Sequence, residues 1–117
     1  MGDLKMRMWM IHPSLLCNRH LNGEHFECHC IAGALAKGLR VDHLITHGYI
    51  EVHNLQTRHD FLVETMEVRG MVHKTPLEFE YFPKYGRGIV DRNKSVADLI
   101  KRCPMCKPHL LPLKGSF

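Results

Sequence analysis

Apolar residues recur at helical spacing in the first third of the chain. Residues 15–37 contain no proline, and successive apolar positions lie three, four or seven residues apart at Leu21, Cys28, Ala32, Leu35 and Leu39. This spacing places their side chains on one face of an α-helix. We therefore predict one long helix over residues 15–37, with Ser14 as its N-cap, Gly38 as its stop signal and Gly23 as a point of irregularity.

A second apolar stripe predicts a helix that begins after Asn54 and ends at Gly70; its members are Leu55, His59, Leu62, Val63 and Met66. Between the two helices, residues 42–47 predict a short helical turn closed by Gly48. Residues 71–93 are rich in aromatic residues, proline and glycine, which is typical of an ordered loop. A third helix is predicted over 94–102, capped by Asn93 or Ser95. The pattern indicates an all-α fold of about three helices with an extended N-terminal segment.

Length and composition narrow the class of protein. The 117 residues, 44% of them hydrophobic, suit one domain with a modest core, followed by a tail at 103–117. No apolar run approaches the roughly 18 residues that span a bilayer. The first five residues, Met1-Gly-Asp-Leu-Lys5, lack the apolar stretch of a signal peptide. We therefore expect a soluble monomer without a membrane partner, located in the cytoplasm or nucleoid, or in a host cell if the protein is viral.

Charge and titratable residues add candidate chemistry. Sixteen Lys and Arg against twelve Asp and Glu give a net charge of +4, which suits a polyanionic partner without identifying one. Ten His could serve metals, phosphates or proton transfer. Five Cys without a secretory signal favour reduced thiols or a metal site over disulfides.

Three polar residues of the first predicted helix share one stripe. His20, Glu24 and Glu27 are four and three residues apart, so their side chains fall within roughly 60° of one another, beside the apolar face. Two carboxylates and an imidazole at the edge of a core can exchange protons with a substrate. The same spacing also occurs on ordinary solvated helix faces, so it does not by itself decide between these interpretations.

Longer stretches resemble a known family. They are Arg19-His-Leu-Asn-Gly-Glu-His-Phe-Glu27, the basic and glycine-containing Ile31–Val41, and Leu55-Gln-Thr-Arg-His-Asp-Phe-Leu-Val-Glu-Thr-Met-Glu-Val-Arg-Gly70. In order and spacing they are similar to the pyrimidine-dimer DNA glycosylases typified by bacteriophage endonuclease V. The opening Met6-Arg-Met-Trp9 and the ending Asp98–Cys106 also look like those of relatives. The resemblance covers residues 6–77 well and the tail loosely.

The resemblance implies roles for individual residues. Glu27 would be the catalytic carboxylate, with Glu24 and His20 as its catalytic neighbours. Groups around the lesion or its phosphates would be Arg7, Arg19, Arg58 and His59. The implied partner is double-stranded DNA that contains damaged bases, and no cofactor is implied.

Two positions depart from the family pattern. Phe26 and Cys30 replace arginines that grip phosphates in the phage enzyme. DNA contacts would therefore come from other basic residues, for which the candidates are Lys37, Arg40, Lys84, Arg87, Arg92 and Lys94.

The family nucleophile is the N-terminal α-amine, which attacks the sugar C1′ and forms a Schiff base. An α-amine has a pKa near 7.7–8.0, so more of it is neutral at pH 7 than of a lysine amine. The resemblance begins at Met6, whose amine would be the nucleophile if the mature chain starts there. If the terminal amine lies on Met1 or Gly2, five extra residues could carry it more than about 10 Å away. The protein would then be a glycosylase without lyase activity or only a DNA-binding protein, unless Lys5 supplies a substitute amine.

Cys103-Pro-Met-Cys106 has the spacing of two metal ligands, which is half of a zinc site. Cys28 with Cys30, or His29 with His109, could complete it. The competing interpretation is a reduced pair that packs as small apolar groups at a helix end. Two alternatives to the enzyme therefore stay open: a non-catalytic nucleic-acid-binding protein and a zinc-stabilised interaction module on the same scaffold.

Overall fold

The longest helix begins three residues later than predicted. The computed structural model describes residues 6–73 and 75–113, and in it α1 covers Asn18–Ala36. Pro13–Leu15 form a 3₁₀ turn, in which His12 Nδ1 accepts the amide hydrogen bond of Ser14. The prediction that Ser14 caps the long helix is therefore wrong. The N-cap is Cys17, whose sulfur accepts from the amide of His20.

The end of α1 follows the prediction. Gly38 adopts a positive φ of 76°, which favours glycine, and the amide of Leu39 then bonds back to the carbonyl of Ala34. The helix runs through Gly23 without a break, so the expected irregularity is absent there.

The remaining helices also match the predicted order. The short α2 covers Asp42–Thr46, α3 covers Leu55–Val68, and α4 covers Arg92–Arg102. Asn54 holds the N-cap position of α3, but its side-chain amide donates to Glu51 instead of capping the helix. The cap of α4 is Asp91, which accepts from the amide of Lys94, and neither predicted cap fills that role.

The predicted tail contains further helical structure. The short helix α5 covers Lys107–Leu110, and a 3₁₀ turn covers Leu111–Leu113. Two further 3₁₀ turns lie outside the tail, at Val52–Asn54 and Pro83–Tyr85. The part of the chain that the structure describes contains no strand, so the fold is all-α. None of its helices is long and apolar enough to cross a membrane.

The core lies between α1 and α3 and continues towards the C-terminal segment. Leu21, Cys28 and Ile31 of α1 are fully buried with Leu55, Leu62 and Met66 of α3, and Leu99 and Leu110 close the core from α4 and α5. The segment 6–11 packs into the same core through Met8, Trp9 and Ile11. This arrangement brings the start of the described chain against α1, where the polar stripe lies.

The described residues of the loop at 71–93 are hydrogen-bonded to α3 and to Glu51 ahead of it. The side-chain amide of Gln56 donates to the carbonyl of Leu77 and accepts from the amide of Phe79, each at 2.7 Å. Buried Glu51 accepts from the amide of Val90 at 2.9 Å.

Candidate functional site

Glu27 of α1 meets the backbone of the N-terminal segment. The amide of Arg7 donates a 2.9 Å hydrogen bond to Glu27 Oε1. Burial raises the pKa of Glu27 to about 7; the Arg7 hydrogen bond opposes this shift, and the carboxylate of Glu24 adds to it. A carboxyl group in this environment can give up and accept a proton near neutral pH.

The side chain of Arg7 is held inside the protein. Its Nη2 lies 2.8 Å from Asp98 Oδ2 of α4. Its guanidinium lies 4.2 Å from the ring centre of Trp9 and 4.9 Å from that of Tyr49, which are cation–π distances. Arg7 therefore ties the N-terminal segment to α4 while its amide contacts α1. Its predicted role towards DNA stays a prediction.

Glu24 lies one turn from Glu27 but has a different environment. It is fully buried and forms a two-pronged ion pair with Arg58 of α3, with Arg58 Nε 2.6 Å from Oε2 and Nη2 3.0 Å from Oε1. Arg58 Nη1 donates to the carbonyl of Ile11 at 2.7 Å. These bonds join α1, α3 and the N-terminal segment. For Arg58 to contact phosphate, as predicted, it would have to leave Glu24.

A cleft of about 280 Å³ opens beside Glu27, whose side chain is partly exposed. Glu24, Glu27, His20 and Arg7 line it with Trp9, Arg19 and Arg102. The cleft thus brings together five of the predicted site residues. Arg19 and Arg102 are exposed beside it, which favours an anionic ligand. The ring of His20 also contacts a residue that does not line the cleft, because its Nδ1 lies 3.3 Å from the sulfur of Cys17.

The other predicted DNA contacts are spread over the surface. Lys37, Arg40, Arg87 and Arg92 are all exposed. Arg40 lines a groove of about 360 Å³ with Lys84 at the C-terminal end of α1. That groove is larger than the cleft, but we assign the chemistry to the cleft because it holds the carboxyl group of raised pKa. Arg92 and Arg58 border a third groove, of about 410 Å³.

The predicted cysteine pair is joined by residues from the other end of the chain. Cys103 and Cys106 lie beside Cys17 and His20, and the four ligand atoms are all within 4.8 Å of one another. The residues proposed from the sequence to complete the site do not join this group: Cys28 is buried in the core, and His109 is exposed on α5. Cys17-x-x-His20 is itself a ligand spacing, and that signal could have identified the second half.

A second cluster was missed by sequence reasoning. His25 and His29 of α1, His59 of α3 and His73 have ring nitrogens that are all within 4.8 Å of one another. Burial, followed by the neighbouring imidazoles, lowers the pKa of His25 to about 4. The four-residue spacing of His25 and His29 on one helix was the available signal. His59, which the family resemblance placed near the lesion, is fully buried in this cluster.

Comparison with known proteins identifies the family. Neither a curated protein sequence nor a solved structure gives a significant match. The family model described as pyrimidine dimer DNA glycosylase matches residues 6–79, which is more than half of the 117 residues. The match contains α1, α3 and the N-terminal segment that contacts Glu27, and it shows that this chain belongs to the pyrimidine dimer DNA glycosylase family.

Proposed function

We propose that the protein is a DNA N-glycosylase with abasic-site lyase activity, and that it acts on damaged pyrimidines in double-stranded DNA, with pyrimidine dimers as the expected lesion. The observation that carries the proposal is the 2.9 Å hydrogen bond between the amide of Arg7 and Glu27. It holds the first residues of the family match against the partly buried carboxyl group of the cleft. An α-amine on Met6 would lie one residue from that contact.

The chemistry requires an amine and a proton-carrying group. The neutral amine forms a bond to C1′ of the sugar while the bond from C1′ to the damaged base breaks, and the base leaves with the electron pair. Loss of the amine proton and opening of the sugar ring then give a Schiff base. Removal of a proton from C2′ expels the 3′ phosphate and cuts the strand. In this scheme Glu27 stabilises the developing positive charge and carries protons.

The other residues of the cleft have supporting roles in this proposal. Arg19 and Arg102 attract the phosphates on either side of the lesion, since both are exposed at the cleft. Reaching C1′ requires the damaged nucleotide to be unstacked, at a cost of about a few kcal/mol. Trp9 lines the cleft as a buried ring against which the guanidinium of Arg7 packs, so in this proposal it supports Arg7. Glu24 acts as a positioning residue through Arg58.

The test combines a defined amino terminus with a matched pair of variants. A form that starts at Met6 and the full chain are each incubated with DNA that contains a pyrimidine dimer, which reports release of the damaged base from its sugar. Both are also incubated with abasic-site DNA and borohydride, which traps a Schiff base as a covalent adduct. We expect the Met6 form to be trapped and acetylation of its amine to abolish trapping. Glu27→Gln should lower strand scission by about 100-fold or more while DNA affinity changes little. Glu80→Gln removes an exposed loop carboxylate and serves as the control.

The outcomes separate the alternatives. If the damaged base is released without an adduct, the nucleophile is water and not the amine, and the protein is a glycosylase without lyase activity. DNA binding without base release or adduct, in both chain forms, would favour the non-catalytic DNA-binding protein. Equal scission by Glu27→Gln and Glu80→Gln would refute the assignment of Glu27.

A further inference from the structure

Four imidazoles meet inside the protein, and each has one ring nitrogen that is buried. These are the Nε2 atoms of His25, His29, His59 and His73, and none has a hydrogen-bond partner among the residues that the structure describes. The ring centre of His25 lies 4.8 to 4.9 Å from the ring centres of the other three histidines. A buried polar atom without a partner is costly, and four such atoms directed into one place are hard to explain by packing alone.

The surroundings of His59 favour the ligand form of its ring. Its Nδ1 lies 2.9 Å from Asp60 Oδ1, so Nδ1 carries a proton and Nε2 keeps its lone pair free for the cluster. Metal-binding histidines commonly have such a carboxylate partner on the other ring nitrogen, which fixes the tautomer and the ring orientation.

We propose that His25, His29, His59 and His73 bind one divalent transition-metal ion through their Nε2 atoms. Four imidazole nitrogens suit the borderline metals Zn²⁺, Cu²⁺ and Ni²⁺, and a set of four protein ligands is the number that Zn²⁺ takes in structural sites. The site would join α1, α3 and the segment that follows α3. This inference does not depend on the proposed glycosylase activity.

The metal content of the purified full chain tests this site. Zinc, copper and nickel are measured by elemental analysis for the wild type, His29→Gln, His73→Gln and the control His43→Gln, whose ring is exposed on α2. We expect each cluster variant to lose one metal ion per chain and the control to lose none. Equal content in all four proteins would overturn the proposal. So would a wild type that binds no Zn²⁺ at all when it is titrated after purification, and this measurement does not require a variant to fold.

A separate set of contacts carries a second metal site. The sulfurs of Cys17 and Cys103 lie 3.8 Å apart, and the sulfur of Cys106 lies 3.6 Å from Nδ1 of His20. Three backbone amides point at these sulfurs. The amide of Cys17 donates to Cys106 at 3.3 Å, that of Cys106 to Cys103 at 3.3 Å, and that of His20 to Cys17 at 3.4 Å. Amides directed at sulfur stabilise thiolates, which are the form that binds a metal.

We infer that Cys17, His20, Cys103 and Cys106 form a closed zinc site of the Cys₃His type. Two ligands come from the first turn of α1 and its cap, and two from the turn between α4 and α5. The four protein ligands leave no open position, which is the mark of a structural site. In this inference His20 is a zinc ligand, and its imidazole does not transfer protons to the substrate.

Cobalt distinguishes the two sites because only thiolate ligands produce sulfur-to-cobalt charge-transfer absorption. The chain is stripped of metal, titrated with Co²⁺ and compared with Cys106→Ser and the control Cys30→Ser, whose sulfur lies outside the cluster. We expect the wild type and Cys30→Ser to show this absorption and Cys106→Ser to lose it, together with one zinc ion per chain. His29→Gln should keep the absorption. Wild-type protein with reduced thiols and no such band would refute the site. So would a disulfide between these cysteines in freshly purified protein that has met no added oxidant.

Discussion

Replacing Arg58 with methionine should destabilise the protein strongly. The substitution removes both bonds to Glu24 and the bond to the carbonyl of Ile11, and it leaves a carboxylate that is 0% exposed without its partner. Removing one member of a buried ion pair costs about 3–5 kcal/mol. For a domain of this size, that loss corresponds to a decrease in melting temperature of roughly 10–20 °C.

The exposed pair of Arg40 and Asp42 is the matched control. Its atoms are as close, with Arg40 Nη2 2.6 Å from Asp42 Oδ2, but its side chains are 87% and 60% exposed. Solvent screens such a pair, so Arg40→Met should change the free energy of unfolding by less than about 1 kcal/mol. Urea unfolding followed by circular dichroism measures both variants. A double variant, Glu24→Gln with Arg58→Met, should recover part of the loss because no charge is left buried.

The same experiment decides between two roles of Arg58. If the unfolding free energies of Arg58→Met and Arg40→Met differ by less than about 1 kcal/mol, the internal pair does not hold α1 against α3, and the structural reasoning is wrong. A variant that keeps wild-type stability but loses DNA affinity would instead support the contact with phosphate or lesion that the family resemblance implies.

Two further predictions concern glycine and salt. Gly88→Ala should cost at least about 2 kcal/mol of unfolding free energy, because Gly88 has φ +96° and an added Cβ would clash with the carbonyl oxygen of Ile50. Gly23→Ala, in open space on α1, should instead be neutral or stabilising by up to about 1 kcal/mol, and equal urea midpoints would contradict both. Replacing Arg87 and Arg92 together by alanine should lower the slope of log affinity against log salt by roughly two units if both contact phosphate, whereas an unchanged slope would place the DNA on another face.

The helices were predictable because their signals are local. The apolar spacing of α1 and α3 and the positive-φ glycines that follow them act within a few residues, and the structure agrees with these predictions. The beginning of α1 was not predictable in the same way. Ser14 is an ordinary N-cap residue, but the ring of His12 bonds its amide and stabilises a separate turn. Two local solutions compete there, and the capping rule alone does not decide between them.

Periodicity predicted the stripe of the candidate site but not the environment of each member. Glu24 and Glu27 are neighbours on α1, yet one is paired with Arg58 of α3 and the other accepts from the backbone of Arg7. Their partners are 34 and 20 residues away along the chain. Only the tertiary structure therefore distinguishes a structural carboxylate from a candidate proton carrier.

Each proposed metal site combines one local half with one distant half. His25 and His29 are one turn apart on α1, as are Cys17 and His20, and these spacings are visible in the sequence. At 100° per residue, His29 lies roughly 160° around the helix from Glu27, so the histidine cluster and the cleft occupy opposite edges of the buried face of α1. A metal ion in the histidine cluster is therefore separated from the cleft by the helix itself. Removal of this metal should lower the stability of the protein before it changes the chemistry at Glu27. Any activity lost on chelation should therefore return with every metal that restores the fold, and not with one particular metal.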